Sequence, residues 1–126
     1  GVLHLLEKKA DLFFITLNKT EEHYSPTTMY KDYAISEDLF HWQSQSTTSE
    51  SSPTGRRYIE HEARGDKILL FVREHKKADS RTEPYIFLGT ARYLSHTGSR
   101  PMSIVWELDH SMPPGLFVKA NKMVVG

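Results

Sequence analysis

Cysteine is absent from the 126 residues. That excludes a disulfide framework, a thiol nucleophile and any zinc site built on thiolates. Long apolar runs are missing as well: Leu12 to Ile15 and Ile68 to Val72 are among the longest. Nothing in the chain reads as a membrane span or as a signal peptide. Net charge is also lacking, with 16 basic and 16 acidic side chains. What remains is 38% hydrophobic and 25% charged, the balance of a folded domain rather than a disordered chain. A chain of this length is one domain, residues 1–126, and buries about two-thirds of its unfolded surface without needing staples. It opens on Gly1 instead of Met and reads as structure at once, the pattern expected of a piece of a larger protein.

The charges are unevenly spread. Residues 1–50 hold four Lys against eight Asp or Glu, whereas residues 51–126 hold twelve Lys or Arg against eight acids. Such a split suits a domain with one anion-binding face, and equally a surface of scattered solvated charge.

The chain is mostly β in pattern. Val2 to Leu6 and Leu12 to Leu17 predict a strand pair across the polar turn Glu7 to Asp11. Short strands are expected at Asp32 to Ile35 and Leu39 to Gln45, and a buried strand at Lys67 to Arg73. Tyr85 to Ser95 and Pro101 to Leu108 form the best hairpin candidate. In its first strand Tyr85, Phe87, Gly89, Ala91 and Tyr93 are expected on one face; in its second, Met102, Ile104, Trp106 and Leu108. Ser44 to Thr54, eight of eleven residues Ser or Thr, reads as a mobile surface loop. One helix is expected after Thr54 as N-cap, ending near Gly65, and another from Pro113-Pro114. Together these predict an α+β domain, mainly β: a closed or nearly closed sheet with two short helices.

Enzyme chemistry finds little to use. The seven histidines show no i, i+2 or i, i+4 pair, and neither a phosphate loop nor a Gly-x-Ser-x-Gly elbow is present. Asp66 with Glu74-His75-Lys76 imitates a metal-nuclease motif, but in one extended segment the two acids lie about 26 Å apart. One ion cannot bridge that span.

Binding is better served. Tyr30-Lys31-Asp32-Tyr33 and Phe40-His41-Trp42-Gln43-Ser44-Gln45 concentrate rings, amides and hydroxyls. On a strand, His41, Gln43 and Gln45 face one side, and Phe40, Trp42 and Ser44 the other. Phe40 and Trp42 are then either core residues or, at a strand end beside a mouth, walls for a planar ligand whose edge the amides read. Basic groups follow in sequence. Arg56 and Arg57 open the first helix, Lys76, Lys77 and Arg81 lie in the polar loop, and His96, Ser99 and Arg100 form the hairpin tip. Each group also has an ordinary reading as solvated surface charge.

Several runs resemble one family closely. They are Thr16-Leu17-Asn18-Lys19, Ser25-Pro26-Thr27-Thr28-Met29-Tyr30, the Phe40 to Gln45 segment, Ser52-Pro53-Thr54-Gly55 with Arg57-Tyr58-Ile59, Phe87-Leu88-Gly89-Thr90-Ala91, Ser95-His96 and Arg100-Pro101-Met102. The family is the C-terminal domain, long labelled as of unknown function, of large bacterial proteins carrying a phospholipase-D-like nuclease and a superfamily 2 helicase. Some of these are type IV restriction enzymes that cut DNA containing 5-methylcytosine. The resemblance implies an SRA-like module of the PUA-like group, a curved β-barrel that flips a modified cytosine from duplex DNA. It implies no catalysis and no cofactor in this domain, since ATP and Mg serve the motor elsewhere. It also implies partners in methylated duplex DNA and in the parent's helicase and nuclease domains, no membrane, and a cytoplasmic location.

Flipping a base costs a few kcal/mol, which the pocket must return. Two stacked rings return about 1–3 kcal/mol each, while filling a methyl recess adds only about 1 kcal/mol. On this chemistry Trp42 with Tyr30 or Tyr33 is expected to sandwich the base. Asp32 or Gln43 is expected to accept from its amino group, helped by Ser44 and Gln45. Arg56, Arg57, Lys76, Lys77, Arg81, His96, Ser99 and Arg100 are expected along the DNA backbone or groove. The competing expectations are a docking module of the helicase-nuclease without DNA affinity, marked by an exposed apolar patch, and a reader of a different mark.

Overall fold

A computed structural model of the protein describes residues 1–18, 31–78 and 80–121, with the backbone alone at Asn18, Lys77 and Ala78. In chain order the elements are β1 (Val2–Leu5), β2 (Ala10–Asn18), β3 (Tyr33–Ala34), β4 (Leu39–Gln43), α1 (Pro53–Ile59), α2 (His61–Arg64), β5 (Lys67–His75), β6 (Lys77–Ala78), β7 (Arg81–Thr82), β8 (Ile86–Thr97), β9 (Ser103–Leu108) and α3 (Pro114–Ala120). Seven strands form one sheet in the order β1-β2-β5-β8-β9-β4-β3, and β6 and β7 make a separate ribbon. β2 and β5 run parallel, and every other pair is antiparallel.

The expected closed barrel is not formed among the described residues. The sheet is open and mixed, with the four-residue β1 at one edge and the two-residue β3 at the other. Neither edge pairs with the other. The domain is α+β and mainly β, with three short helices.

Alternation divides the sheet into two faces. Phe13, Ile15, Leu17, Ile68, Leu70, Val72, Phe40, Trp42, Ile104, Trp106 and Leu108 all point to one side and are buried. α2 packs on β5 and β8 there, and α3 on β3. Tyr58 of α1 and Leu116 and Ala120 of α3 complete that core. At its centre Phe13 meets Trp42, Trp106 and Tyr58 at ring-centroid distances of 4.6, 5.3 and 5.4 Å. The opposite face carries no helix among the described residues.

Three expectations change in detail. The first helix is capped by Ser52, not Thr54: the Ser52 hydroxyl accepts from the Gly55 N–H at 3.1 Å, and Pro53 takes the first turn. It breaks at Glu60, which closes α1 and opens α2, so one expected helix becomes two. The five-residue face of β8 is split by a bulge. Leu70 pairs with Gly89 but Phe71 with Phe87, leaving Leu88 as the extra residue. Gly89, at φ 99°, lets the chain make that step, so Leu88 is buried while Phe87 is exposed.

The Ser/Thr-rich segment is no loose loop. Ser44, Thr48 and Ser49 are buried. Ser49 and Ser52 bond each other through side chain and backbone, and the Ser44 hydroxyl accepts from the Met102 N–H at 2.8 Å. Short hydroxyl side chains satisfy the backbone locally, which offsets the polarity that argued for mobility. The segment packs so closely on α1 that a Cβ added at Gly55 would lie 1.9 Å from the Ser49 carbonyl oxygen.

Candidate nucleic-acid interface

Strand register assembles one polar zone on the uncovered face. Ser95 pairs with Val105, Val105 with His41 and His41 with Tyr33. Two residues along, Thr97 pairs with Ser103 and Ser103 with Gln43. Four strands thus bring Tyr33, His41, Gln43, Ser103 and Thr97 to one end of one face.

At the β3 edge the Tyr33 and His41 rings stack, 4.6 Å apart and 17° from parallel. The His41 Nδ1–H donates to the Lys31 carbonyl at 2.7 Å, since a carbonyl can only accept. With a neutral ring, Nε2 is then the lone-pair nitrogen. Asp32 Oδ1 accepts from the Gln43 N–H at 2.9 Å, extending the ladder with a side chain where β3 has ended.

The expected residues separate into groups. Asp32, Tyr33 and Gln43 come together as anticipated in the sequence. Trp42 does not join them: it points to the opposite face, its ring packed edgewise on Phe13 and Tyr58. It is core because it alternates with His41 and Gln43 along β4, and the ring beside Tyr33 is His41. Ser44 and Gln45 hold the chain. The Ser44 hydroxyl donates to the Gln45 carbonyl, and Gln45 Oε1 accepts from the Thr48 hydroxyl. Tyr30 lies outside the described residues.

Arg57 is likewise committed to structure. Its Nε and Nη2 donate to the two carboxylate oxygens of the fully buried Asp11 at 2.9 and 3.0 Å. His4 Nδ1 is 3.0 Å from the same carboxylate. Lys76 and Arg81 are exposed at the β6–β7 ribbon, away from the polar zone in strand order. The Lys77 side chain lies outside the described atoms.

Arg56, His96 and Ser99 converge on a residue the sequence reading passed over, Glu50. Its N–H donates to the Ser99 hydroxyl at 3.1 Å, its carbonyl accepts from Arg56 Nη1 at 3.4 Å, and its carboxylate lies 2.8 Å from His96 Nε2. His96 Nδ1 is 2.6 Å from the Tyr93 hydroxyl. Burial raises the Tyr93 phenol above its ordinary pKa, with Arg56 opposing the shift and Glu50 reinforcing it. Arg56 also pairs with Glu60, which Arg64 shares at 2.7 Å; these two partners lower the Glu60 pKa. Arg100 is exposed beside Ser99, and its N–H donates to the Thr48 carbonyl at 2.8 Å. Arg56, His96, Ser99 and Arg100 therefore meet where the hairpin tip touches the Ser/Thr segment. Glu50 is the lone acid of that segment, the one signal that pointed to it.

Elsewhere on the uncovered face the rings are apolar. Phe14 stacks on Phe71 at 5.1 Å, Phe71 meets Phe87 at 4.9 Å, and the Arg73 guanidinium lies 4.3 Å from the Tyr85 ring centroid. Phe87 is 55% exposed.

Fold and site define a small α+β domain with an open mixed sheet, one face packed by helices and the other presenting rings, amides and cations. A family model described as a domain of unknown function (DUF3427) matches residues 4–120. The chain belongs to that family. No curated protein matches it. Among the described residues no helix is long and apolar enough to cross a membrane.

Proposed function

We propose that this domain recognises 5-methylcytosine, or a related modified cytosine, in duplex DNA by taking the base out of the helix. In this reading it is the non-catalytic specificity element of an ATP-dependent, modification-dependent restriction endonuclease. The observation that supports it most is the stacked Tyr33–His41 pair beside Asp32 and Gln43, at an open sheet edge. Each ring of a stacked pair covers only one face of its neighbour, so the pair can extend onto a flipped base, worth about 1–3 kcal/mol per stack. Asp32 or Gln43 supplies an acceptor for the cytosine amino group, and His41 Nε2 lies on the same rim. Arg56, His96, Ser99 and Arg100 lie at the hairpin tip on the helix-packed side, where His96 pairs with the buried Ile104, and suit phosphates beyond the rim of the sheet.

The parent protein's nuclease and helicase domains are the partners, and ATP and Mg belong to that motor. The SRA-like ancestry and the cytoplasmic location are parts of the same proposal. The test is a titration of the chain with matched duplexes, unmodified, 5-methylated and 5-hydroxymethylated, at two salt concentrations. A preference for a modified duplex that survives added salt supports the reading. Equal affinity for all three replaces it with a general DNA clamp.

A second reading has its own observation. The Phe14–Phe71–Phe87 row, with Phe87 exposed, is an apolar patch suited to docking another domain of the same enzyme. No affinity for any duplex would favour it.

A further inference from the structure

Glu50 stands where an anion would stand. A carboxylate only accepts, so His96 Nε2 carries the proton in the 2.8 Å contact. In a neutral ring Nδ1 is then the acceptor, and the Tyr93 hydroxyl donates to it at 2.6 Å. The two donors form a relay aimed at the Glu50 carboxylate. The Ser99 hydroxyl, which accepts from the Glu50 N–H, keeps its own proton to donate.

We propose that His96, Ser99, Arg56 and Arg100 form a binding site for a phosphodiester anion, and that the Glu50 side chain occupies it in the free protein. The inference rests on the DNA-reading function above and adds its regulation: an internal competitor must leave before the backbone of the nucleic acid can enter.

Three features carry it. The Glu50 side chain is 59% exposed, so it can turn into water, and its contacts to Ser99 and Arg56 are made by its backbone. An exposed carboxylate–imidazole pair is weak and screened by water, whereas a phosphodiester presents charged acceptors to several donors together. Arg56 and Arg64 share the single carboxylate of Glu60, so positive charge remains beside Glu50 once it has turned away.

The test compares the wild type with Glu50→Gln in binding a short fluorescent duplex of unmodified DNA. Gln keeps the length of the side chain and can still accept from His96 through its amide oxygen, so an unchanged melting temperature is the control. The variant should bind about threefold to fivefold more tightly, the weight of one exposed hydrogen bond to a carboxylate, with a steeper salt dependence. Arg100→Ala added to Glu50→Gln should remove the gain. If both proteins bind and Glu50→Gln is equal or weaker, the competitor role is overturned while DNA reading stands. If neither binds, both fall. A second readout needs no variant: inorganic phosphate titrated into the wild type should shift the His96 imidazole resonance, and an unmoved resonance overturns the site.

Discussion

Arg57 clamps Asp11, a fully buried carboxylate, with two N–H···O bonds of 2.9 and 3.0 Å, and so ties α1 to β2. Removing one partner of a buried pair leaves the other charge stranded, at about 3–5 kcal/mol. Arg57→Ala should lower the unfolding free energy by that order, measured by urea denaturation. Arg57→Lys, which loses the fork but keeps the charge, should recover part of it. An unchanged midpoint in Arg57→Ala would mean the pair holds nothing.

His41 and Trp42, adjacent in sequence, should answer differently to truncation. Trp42→Ala empties the centre of the core and is expected to cost about 3–5 kcal/mol of stability. His41→Ala and Tyr33→Ala should barely move the melting temperature, yet each should weaken binding to methylated duplex about tenfold, the order of one lost base–ring stack. Paired thermal and binding measurements separate the two faces of β4.

Gly55 has no room for a methyl group, because a Cβ there would meet the Ser49 carbonyl oxygen at 1.9 Å. Gly55→Ala must push the Ser/Thr segment off α1. We expect a loss of about 3 kcal/mol or more, in the range of overpacked cores, seen in thermal unfolding. The hairpin tip should loosen with it, since Arg100 and Ser99 bond that segment.

Burial pushes the Tyr58 phenol from its ordinary 10.0 up to about 12, with the Arg57 charge pulling the other way. The folded state therefore keeps the proton longer than the unfolded chain does. The stability this gives is complete below pH 10 and is lost as the pH climbs towards 12, at about 1.4 kcal/mol per pH unit. Tyr58→Phe should flatten that alkaline slope in denaturant titrations run across the window.

Much of the fold was legible because its signals are local. Alternation in Leu39 to Gln43 and in Ser103 to Leu108 marks which side chains are buried, and the β1–β2 and β8–β9 pairs lie close to their expected limits. The same alternation already placed His41 with Gln43 and Trp42 with Phe40. Choosing Trp42 for the ring site set that period aside in favour of ring size, which is why the aromatic beside Tyr33 was misassigned.

Other features have no local signal. Neither Arg57 nor Asp11 carries a mark of the other, 46 residues away, and Arg57 looked as available as Arg56. The Ser/Thr segment looked mobile by composition, and its order comes from partners on α1 and the hairpin tip. The bulge at Leu88 depends on the register between β5 and β8.

By itself, then, the sequence determined the main strands, the start of α3 and the two-sided pattern of β4, because dihedral preference and hydrophobic period act between near neighbours. The tertiary structure alone decided that the sheet stays open, that Arg57 is spent on Asp11, and that Glu50 meets His96. Those outcomes depend on which distant segments come within hydrogen-bonding reach, and on how burial makes each pairing stronger than its exchange with water.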